Sequence, residues 1–319
     1  MTVASASRRV LYRVSMEFGV YLIGRPSGAD RPSAPIVSPD FLAPFAQHAE
    51  RVGVESLFFV DHIVFPAAQL ATYPYMASGR YPYDNDEMQI PEPLMLFAFL
   101  AGVTTTIRFG TAVLVLPQRD PLLLAKQLAT ADQLSKGRIE LGIGAGWLAD
   151  EFNALGVDFA TRGARTDEYI AVMRTVWRDR IASFHGEFVS FDAMKLTTYP
   201  VQLAGIPIIV GGHSAPALRR AGRLGDAFLP ASNIGLDEPG RWPAMWAEVC
   251  RHAREAGRPD GAVSLQGFGD TLDDARRLHD LGATRMIHNV LEPDLASAIA
   301  HLDRFRAEVI EPFRADRGE

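Results

Sequence analysis

Three short runs in this 319-residue chain place chemically capable residues where strands are expected to end. The first is Asp61-His62, directly after the apolar run Leu57-Phe58-Phe59-Val60. Imidazole exchanges a proton near neutral pH, and a neighbouring carboxylate can set its charge or position, so the pair suits acid–base work. The competing reading is a histidine that merely caps a loop. The second run, Gly142-Ile143-Gly144-Ala145-Gly146, has three alternate positions without side chains, where a flat ring or a phosphate can approach the backbone. A tight strand-to-helix turn would use the same residues. The third, Gly211-Gly212-His213-Ser214, precedes a helical stretch through Leu218 and Ala221. A helix start offers N–H groups and a positive dipole end to an anion, with the Ser214 hydroxyl beside them. An ordinary glycine turn with a serine N-cap explains those residues too. Arg219 and Arg220 on that helix could add charge, but helix arginines of this kind are usually solvated.

The elements that must hold these runs carry their own signals. Ser38-Pro39 is an N-cap followed by a first-turn proline; Leu42, Phe45, Ala49 and Val52 continue a helical stripe, and Gly53 stops it. Ser56 to Val60 is then a buried strand, too short and too uniformly apolar for a helix. Phe109 to Leu116 reads as a strand, Asp120-Pro121 starts a helix through Leu124, Leu128 and Ala131, and Gly137 ends it before a strand at Arg138 to Ile143. Tyr169, Val172, Met173, Val176 and Trp177 share one helical face. Pro207 to Val210, Ala227 to Leu229, Val263 to Gly267 and Arg285 to Asn289 are four more strands, and with Phe18 to Ile23 there are eight. Strands alternating with helices imply parallel pairing, and eight such units predict a closed (β/α)8 barrel of the α/β class. The rival, an open doubly wound sheet, lacks its glycine-rich turn after the first strand, where GRPSGADRPS stands instead. Two inserts, Phe65 to Pro91 and Phe184 to Pro207, exceed a minimal barrel and are expected to shape the pocket.

The length admits two domains of roughly 150 residues or one such barrel. Apolar residues at 48%, charged residues at 22%, 27 Gly and 21 Pro are a globular balance that argues against disorder. A formal charge of −6 provides no positive field for a phosphate backbone, so no nucleic-acid partner is expected. The apolar run Leu94 to Ile107 contains three threonines and a glycine and is shorter than the ~20 residues of a membrane helix. Cys250 is the single cysteine, which excludes an internal disulfide, fits a reducing, cytoplasmic setting and is expected to be buried. No metal site is expected. Residues 1–15 are basic and serine-containing; they read as a disordered tail, with Met16 as a candidate true start.

Taken together, VDHIVFP, GTAVLVLPQRDPLLLAKQLATADQLSKGRIELGIGAGW and PIIVGGHSAPALRRAGRLGDAF resemble the luciferase-like family of flavin- and deazaflavin-dependent oxidoreductases. The resemblance runs from Met16 to Pro230 and is weaker in the later strands. The insert from Tyr73-Pro74-Tyr75 to Tyr81-Pro82 resembles the group that uses coenzyme F420. The resemblance implies one TIM-barrel domain over residues 16–319, with a non-proline cis peptide at Ala112-Val113 against the cofactor ring. It places His62 on the catalytic histidine, and Asp61, Ala145, Gly146, Asp150, Gly211, Gly212, His213 and Ser214 at the cofactor. Trp147 stands where the family's sugar-phosphate dehydrogenases carry a second acid–base glutamate, so that chemistry is not expected. Ala145 stands where bacterial luciferase carries a phosphate-binding arginine, which argues against luciferase-like FMN binding.

The expected activity is hydride transfer between F420 and a small organic substrate, with His62 moving the proton. An FMN-dependent monooxygenase is the alternative, and a non-catalytic flavin-binding barrel is a third reading that would not need Asp61-His62. Tyr73, Tyr75, Tyr81 and Trp147 suggest an aromatic substrate pocket, although tyrosines in an insert can simply pack it onto the barrel. A homodimer is the expected assembly.

Overall fold

A computed structural model describes residues 15–23, 36–67, 72–74, 79, 89–231 and 240–318. The barrel strands in chain order are β1 (Glu17–Leu22), β2 (Ser56–Phe59), β3 (Arg108–Thr111), β4 (Leu114–Val115), β5 (Leu141–Gly144), then β8 (Ile208–Gly211), β9 (Ala227–Leu229), β10 (Ser264–Phe268) and β11 (Ala283–Val290). Between β5 and β8 an antiparallel hairpin pairs β6 (Ala182–His185) with β7 (Ser190–Met194). The helices are α1 (Pro39–Arg51), α2 (Pro93–Val103), α3 (Pro121–Ser135), α4 (Ala149–Ala154), α5 (Arg162–Arg178), α6 (Ala215–Leu224), α7 (Arg241–Glu255), α8 (Leu272–Asp280), α9 (Leu295–Phe305) and α10 (Glu311–Ala315).

All nine barrel strands pair in parallel, in the order β3-β2-β1-β11-β10-β9-β8-β5-β4. Since β3 and β4 are halves of one segment, broken at a cis Ala112-Val113 peptide, the nine strands make eight staves, as the sequence predicts. The ring is closed where Phe109 N donates to Arg138 O and Glu140 N donates to Phe109 O, both at 2.9 Å. The predicted helix ends also hold: Ser38 and Asp120 each accept a backbone N–H at the start of their helices, and Gly53 and Gly137 adopt positive φ just after α1 and α3.

Alternate residues of each strand face opposite ways. Phe18, Val20 and Leu22 of β1 join the large core between barrel and helices, while Tyr21 joins a smaller inner core with Phe58, Ile209, Leu229 and Ile287. Phe58 fills the middle of the barrel, because a Cβ at Gly110 would overlap its ring and a Cβ at Gly19 would lie 3.1 Å from it. Below it, at the amino ends of the strands, Arg285 Nη1 donates to Glu140 Oε2 at 2.5 Å and its Nη2 to Glu140 Oε1 at 3.0 Å; Arg285 and Arg108 both pair with Glu17. Burial would raise the Glu140 carboxyl, but Arg285 and Arg108 hold it below the usual carboxylate range.

Two expectations need correction. The Phe184 to Pro207 insert contributes no residue to the pocket described below; it follows α5 rather than a barrel strand, and its hairpin turn is held from α5 by Glu168, which accepts from the N–H groups of Glu187, Phe188 and Val189. Cys250 is half-buried on α7 rather than buried. Among the described residues no helix is long and apolar enough to cross a membrane, and no three His, Cys, Asp or Glu side chains are grouped to hold a metal.

Candidate active site

The carboxyl ends of the strands surround a cavity of about 450 Å³, within the range of small-molecule sites. The β2 exit supplies Val60, Asp61 and His62. Asp61 is 2% exposed and turns toward the next strand: Arg119 Nη2 donates to its Oδ1 at 2.7 Å and Val115 N to its Oδ2 at 3.2 Å. Burial pushes the Asp61 carboxyl up, against the pull of Arg119 and of the Val115 N–H. Arg119 in turn also reaches Glu92 at 2.8 Å.

The carboxylate that engages His62 is therefore not its sequence neighbour. Glu151, on α4, is 1% exposed; its Oε2 lies 3.0 Å from His62 Nδ1, while its Oε1 accepts from Ile63 N at 2.6 Å and Val64 N at 3.2 Å. Burial would raise the Glu151 carboxyl, but the hydrogen bond and charge of His62, with the Gln118 side chain and the Ile63 N–H, bring it below the usual range. Phe65 and Trp147 flank the imidazole, with ring centroids at 4.5 and 6.0 Å, and Tyr73 meets Trp147 edge-on at 4.8 Å. Tyr73 and Trp147 both line the cavity; Tyr75 and Tyr81 lie outside the described residues.

Ala112 and Val113 form the cavity wall beside this pair. The Val113 side chain is wedged between two other staves: a Cβ at Gly144 would lie 2.7 Å from it and a Cβ at Gly211 2.6 Å. Gly142 meets the same segment lower down, where a Cβ would overlap the Thr111 carbonyl oxygen. The bare backbone of the Gly142 to Gly146 run thus admits the broken third stave at Gly142 and Gly144, and Gly144 also lines the cavity. Gly146 has φ +85°, and a Cβ there would crowd Phe152 and Val115. Ala145 and Gly146 line the cavity; Asp150 does not, and neither does His213.

At the far wall, Gly211 and Gly212 lead into α6, with Gly212 at φ +113°. Ser214 is the N-cap residue but its hydroxyl makes no capping bond, so the simple serine-cap reading does not hold. Ser214, Pro216 and Ala217 line the cavity at this helix start, and two arginines stand beside them. Arg220, expected to be solvated, is 7% exposed and held by Asp167 and by Gly163 O at 3.0 Å. Arg162 lies 3.9 Å over the Phe159 ring. The cavity accordingly has an aromatic end at His62 and its Glu151 partner, an uncharged middle at Ala112, Val113 and Ala145, and a cationic end at α6. Sequence reasoning missed Glu151, Arg119 and Arg162; Asp158, which caps the turn leading to Arg162, was the one local signal near them.

A profile of the luciferase-like monooxygenase family matches residues 16–307. The chain belongs to that family. It is an enzyme of the oxidoreductase class within it. An uncharacterized protein of Mycobacterium tuberculosis is 36% identical to it over 282 residues, covering 85% of this chain and 94% of the relative. A pyrimidine monooxygenase of Allorhizobium ampelinum is 31% identical over 179 residues, covering 54% of this chain and 48% of that protein. The luciferase-like fold is shared with a monooxygenase from Streptomyces bottropensis (TM-score 0.73, 17% identity, covering 93% of this chain and 100% of that one). It is also shared with a coenzyme F420-dependent tetrahydromethanopterin reductase of Methanopyrus kandleri (TM-score 0.68, 16% identity, covering 94% and 99%).

Proposed function

We propose that this protein is an F420-dependent oxidoreductase that transfers a hydride between the deazaflavin and a small organic substrate. The observation that carries the reading is one cavity with a carboxylate-engaged histidine at one end and the α6 start with Arg162 and Arg220 at the other. The residues fit such a cofactor. Ala112, Val113, Ala145 and Gly146 offer an uncharged wall for a flat ring, and Gly211, Gly212 and Ser214 a helix start for a phosphate, with the Ser214 hydroxyl uncommitted to its own helix. When bound, the deazaflavin supplies the hydride chemistry. His62 moves the accompanying proton, Asp61 braces the β2 exit through Arg119 and Val115, and Trp147 with Tyr73 walls off the substrate side. Asp150 and His213 stand outside this reading.

An FMN-dependent monooxygenase is the second reading, favoured by the similarity to the pyrimidine monooxygenase. Titrating the protein with F420 and with FMN, oxidised and reduced, separates the two. At least tenfold tighter binding of F420 is the expected result, and the reverse order supports the alternative. We further infer a cytoplasmic homodimer. Helix α2, PLMLFAFLAGV, is apolar all round yet leaves Met95 60% exposed and Phe99 36% exposed, a face that a second copy would cover. Sedimentation of the wild type against Met95→Glu tests this, with a dimer expected only for the wild type.

A further inference from the structure

We propose that Glu151 is the positioning residue of His62: its carboxylate holds the imidazole as the Nδ1–H tautomer and makes Nε2 the atom that accepts and returns the proton. The inference rests on the reading of His62 as the acid–base group. It follows from counting donors. The N–H groups of Ile63 and Val64 can only donate, and both are directed at Glu151 Oε1; the Gln118 side chain also favours the ionised carboxylate, and Oε2 lies 3.0 Å from His62 Nδ1. An ionised carboxylate only accepts, so Nδ1 must carry the hydrogen, and a neutral imidazole then keeps its lone pair on Nε2. Glu151 stays ionised where imidazole titrates, because its partners hold it below the usual carboxyl range despite burial. When Nε2 takes a proton, the resulting imidazolium faces a charge already in place.

The other charged groups lining the cavity among the described residues are Asp61, engaged by Arg119, and Arg162 and Arg220 at its far end. None of these makes a hydrogen bond to Nδ1. The backbone clamp also predicts what a near-isosteric replacement does. In Glu151→Gln the single carbonyl oxygen is claimed by Ile63 N–H and Val64 N–H, so the amide NH2 faces Nδ1 and donates to it. The neutral ring must then move its hydrogen to Nε2, the atom needed as acceptor.

The test is a two-bond 1H–15N correlation on cofactor-free protein with 15N-histidine, at about pH 8.5 where imidazole is ordinarily neutral, with the His62 signal assigned by its loss in His62→Gln. The wild type and Glu151→Asp are expected to show the Nδ1–H tautomer, and Glu151→Gln the Nε2–H tautomer. In the active enzyme Glu151→Gln should also cut turnover about a hundredfold, with cofactor affinity within about threefold. An Nε2–H wild type, or a Glu151→Gln variant with unchanged tautomer, overturns the proposal; the wild-type spectrum decides even where the variant folds poorly. If the tautomer switches but neither F420 nor FMN binds, the functional reading fails and the proton assignment stands.

Discussion

The two ends of the barrel interior are made by the same strands with opposite chemistry. Read upward in steps of two, β1 runs Glu17, Gly19, Tyr21; the third stave runs Arg108, Gly110, Ala112; the segment into β5 runs Glu140, Gly142, Gly144; and β11 runs Arg285, Ile287, Asn289. Each begins with a charge and finishes at the cavity. At the amino end the four charges pair with one another, which fills that end of the barrel. At the carboxyl end the residues are small or aromatic, and the charged groups that remain are anchored from behind, Asp61 by Arg119, His62 by Glu151 and Arg220 by Asp167, so that a cavity persists between them. The contrast teaches that a barrel separates stability from chemistry along its axis, through the choice of residue at each inward step.

The sharpest way to break this contrast is to disarm one end at a time. Arg285→Met leaves Glu140 and Glu17 beside the inner core with Arg108 as the one remaining partner of the cluster, and should cost about 3 kcal/mol or more in urea unfolding while the cavity residues keep their arrangement. His62→Ala should do the converse: turnover falls a hundredfold or more, since acid–base groups typically contribute ~10²–10⁴, with unfolding free energy within about 1 kcal/mol and cofactor affinity within about tenfold. A large stability loss from His62→Ala would show that the separation is false. Gly142→Ala probes the seam between the ends; its Cβ would press on the Thr111 carbonyl oxygen, and a loss of about 1–3 kcal/mol in unfolding free energy is expected. Ser214→Ala should reduce affinity for a phosphate-bearing cofactor by about 1–2 kcal/mol, the scale of one charge-assisted hydrogen bond, and leave binding of a dephosphorylated ring fragment unchanged. Equal losses would place the phosphate elsewhere.

The smallest expected effect is a pH dependence at the amino end. Glu50 accepts from the N–H groups of Thr105, Thr106 and Ile107 and from the Thr106 hydroxyl, fixing the turn into β3. Burial would raise its carboxyl, but these bonds lower it from 4.5 to about 2. A depressed carboxyl contributes stability that is fully present above its unfolded value and is lost as pH falls through the folded one. The Tm gap between wild type and Glu50→Gln should therefore be a few degrees at pH 7 and close between 4.5 and about 2. A gap that widens on acidification would contradict that assignment.

Much of the frame was legible because its signals are local. Ser38-Pro39 and Asp120-Pro121 mark helix starts within two residues, and an apolar run such as Leu57 to Val60 declares a buried strand whatever surrounds it. Positions of site residues on strand ends followed from the same alternation, and the family resemblance supplied the expectation of the Ala112-Val113 cis bond. Partners were not legible. His62 and Glu151 are 89 residues apart, and Asp61 and Arg119 are 58 apart. Adjacency in the chain suggested Asp61 as the partner of His62, but consecutive residues leaving a strand point to different sides, and the two carboxyls serve different neighbours.

The sequence alone determined the eight alternating units, the closed α/β barrel they imply, and the three strand exits that come to line one cavity, because periodicity and capping act over a few residues. Only the tertiary structure decided that Gly142, Gly144 and Gly211 make room for the broken third stave, that Arg220 faces the cavity wall instead of solvent, and that Glu151 holds His62. Those facts depend on which staves become neighbours when the barrel closes, and no local stretch of chain encodes a contact whose other half arrives from across the ring.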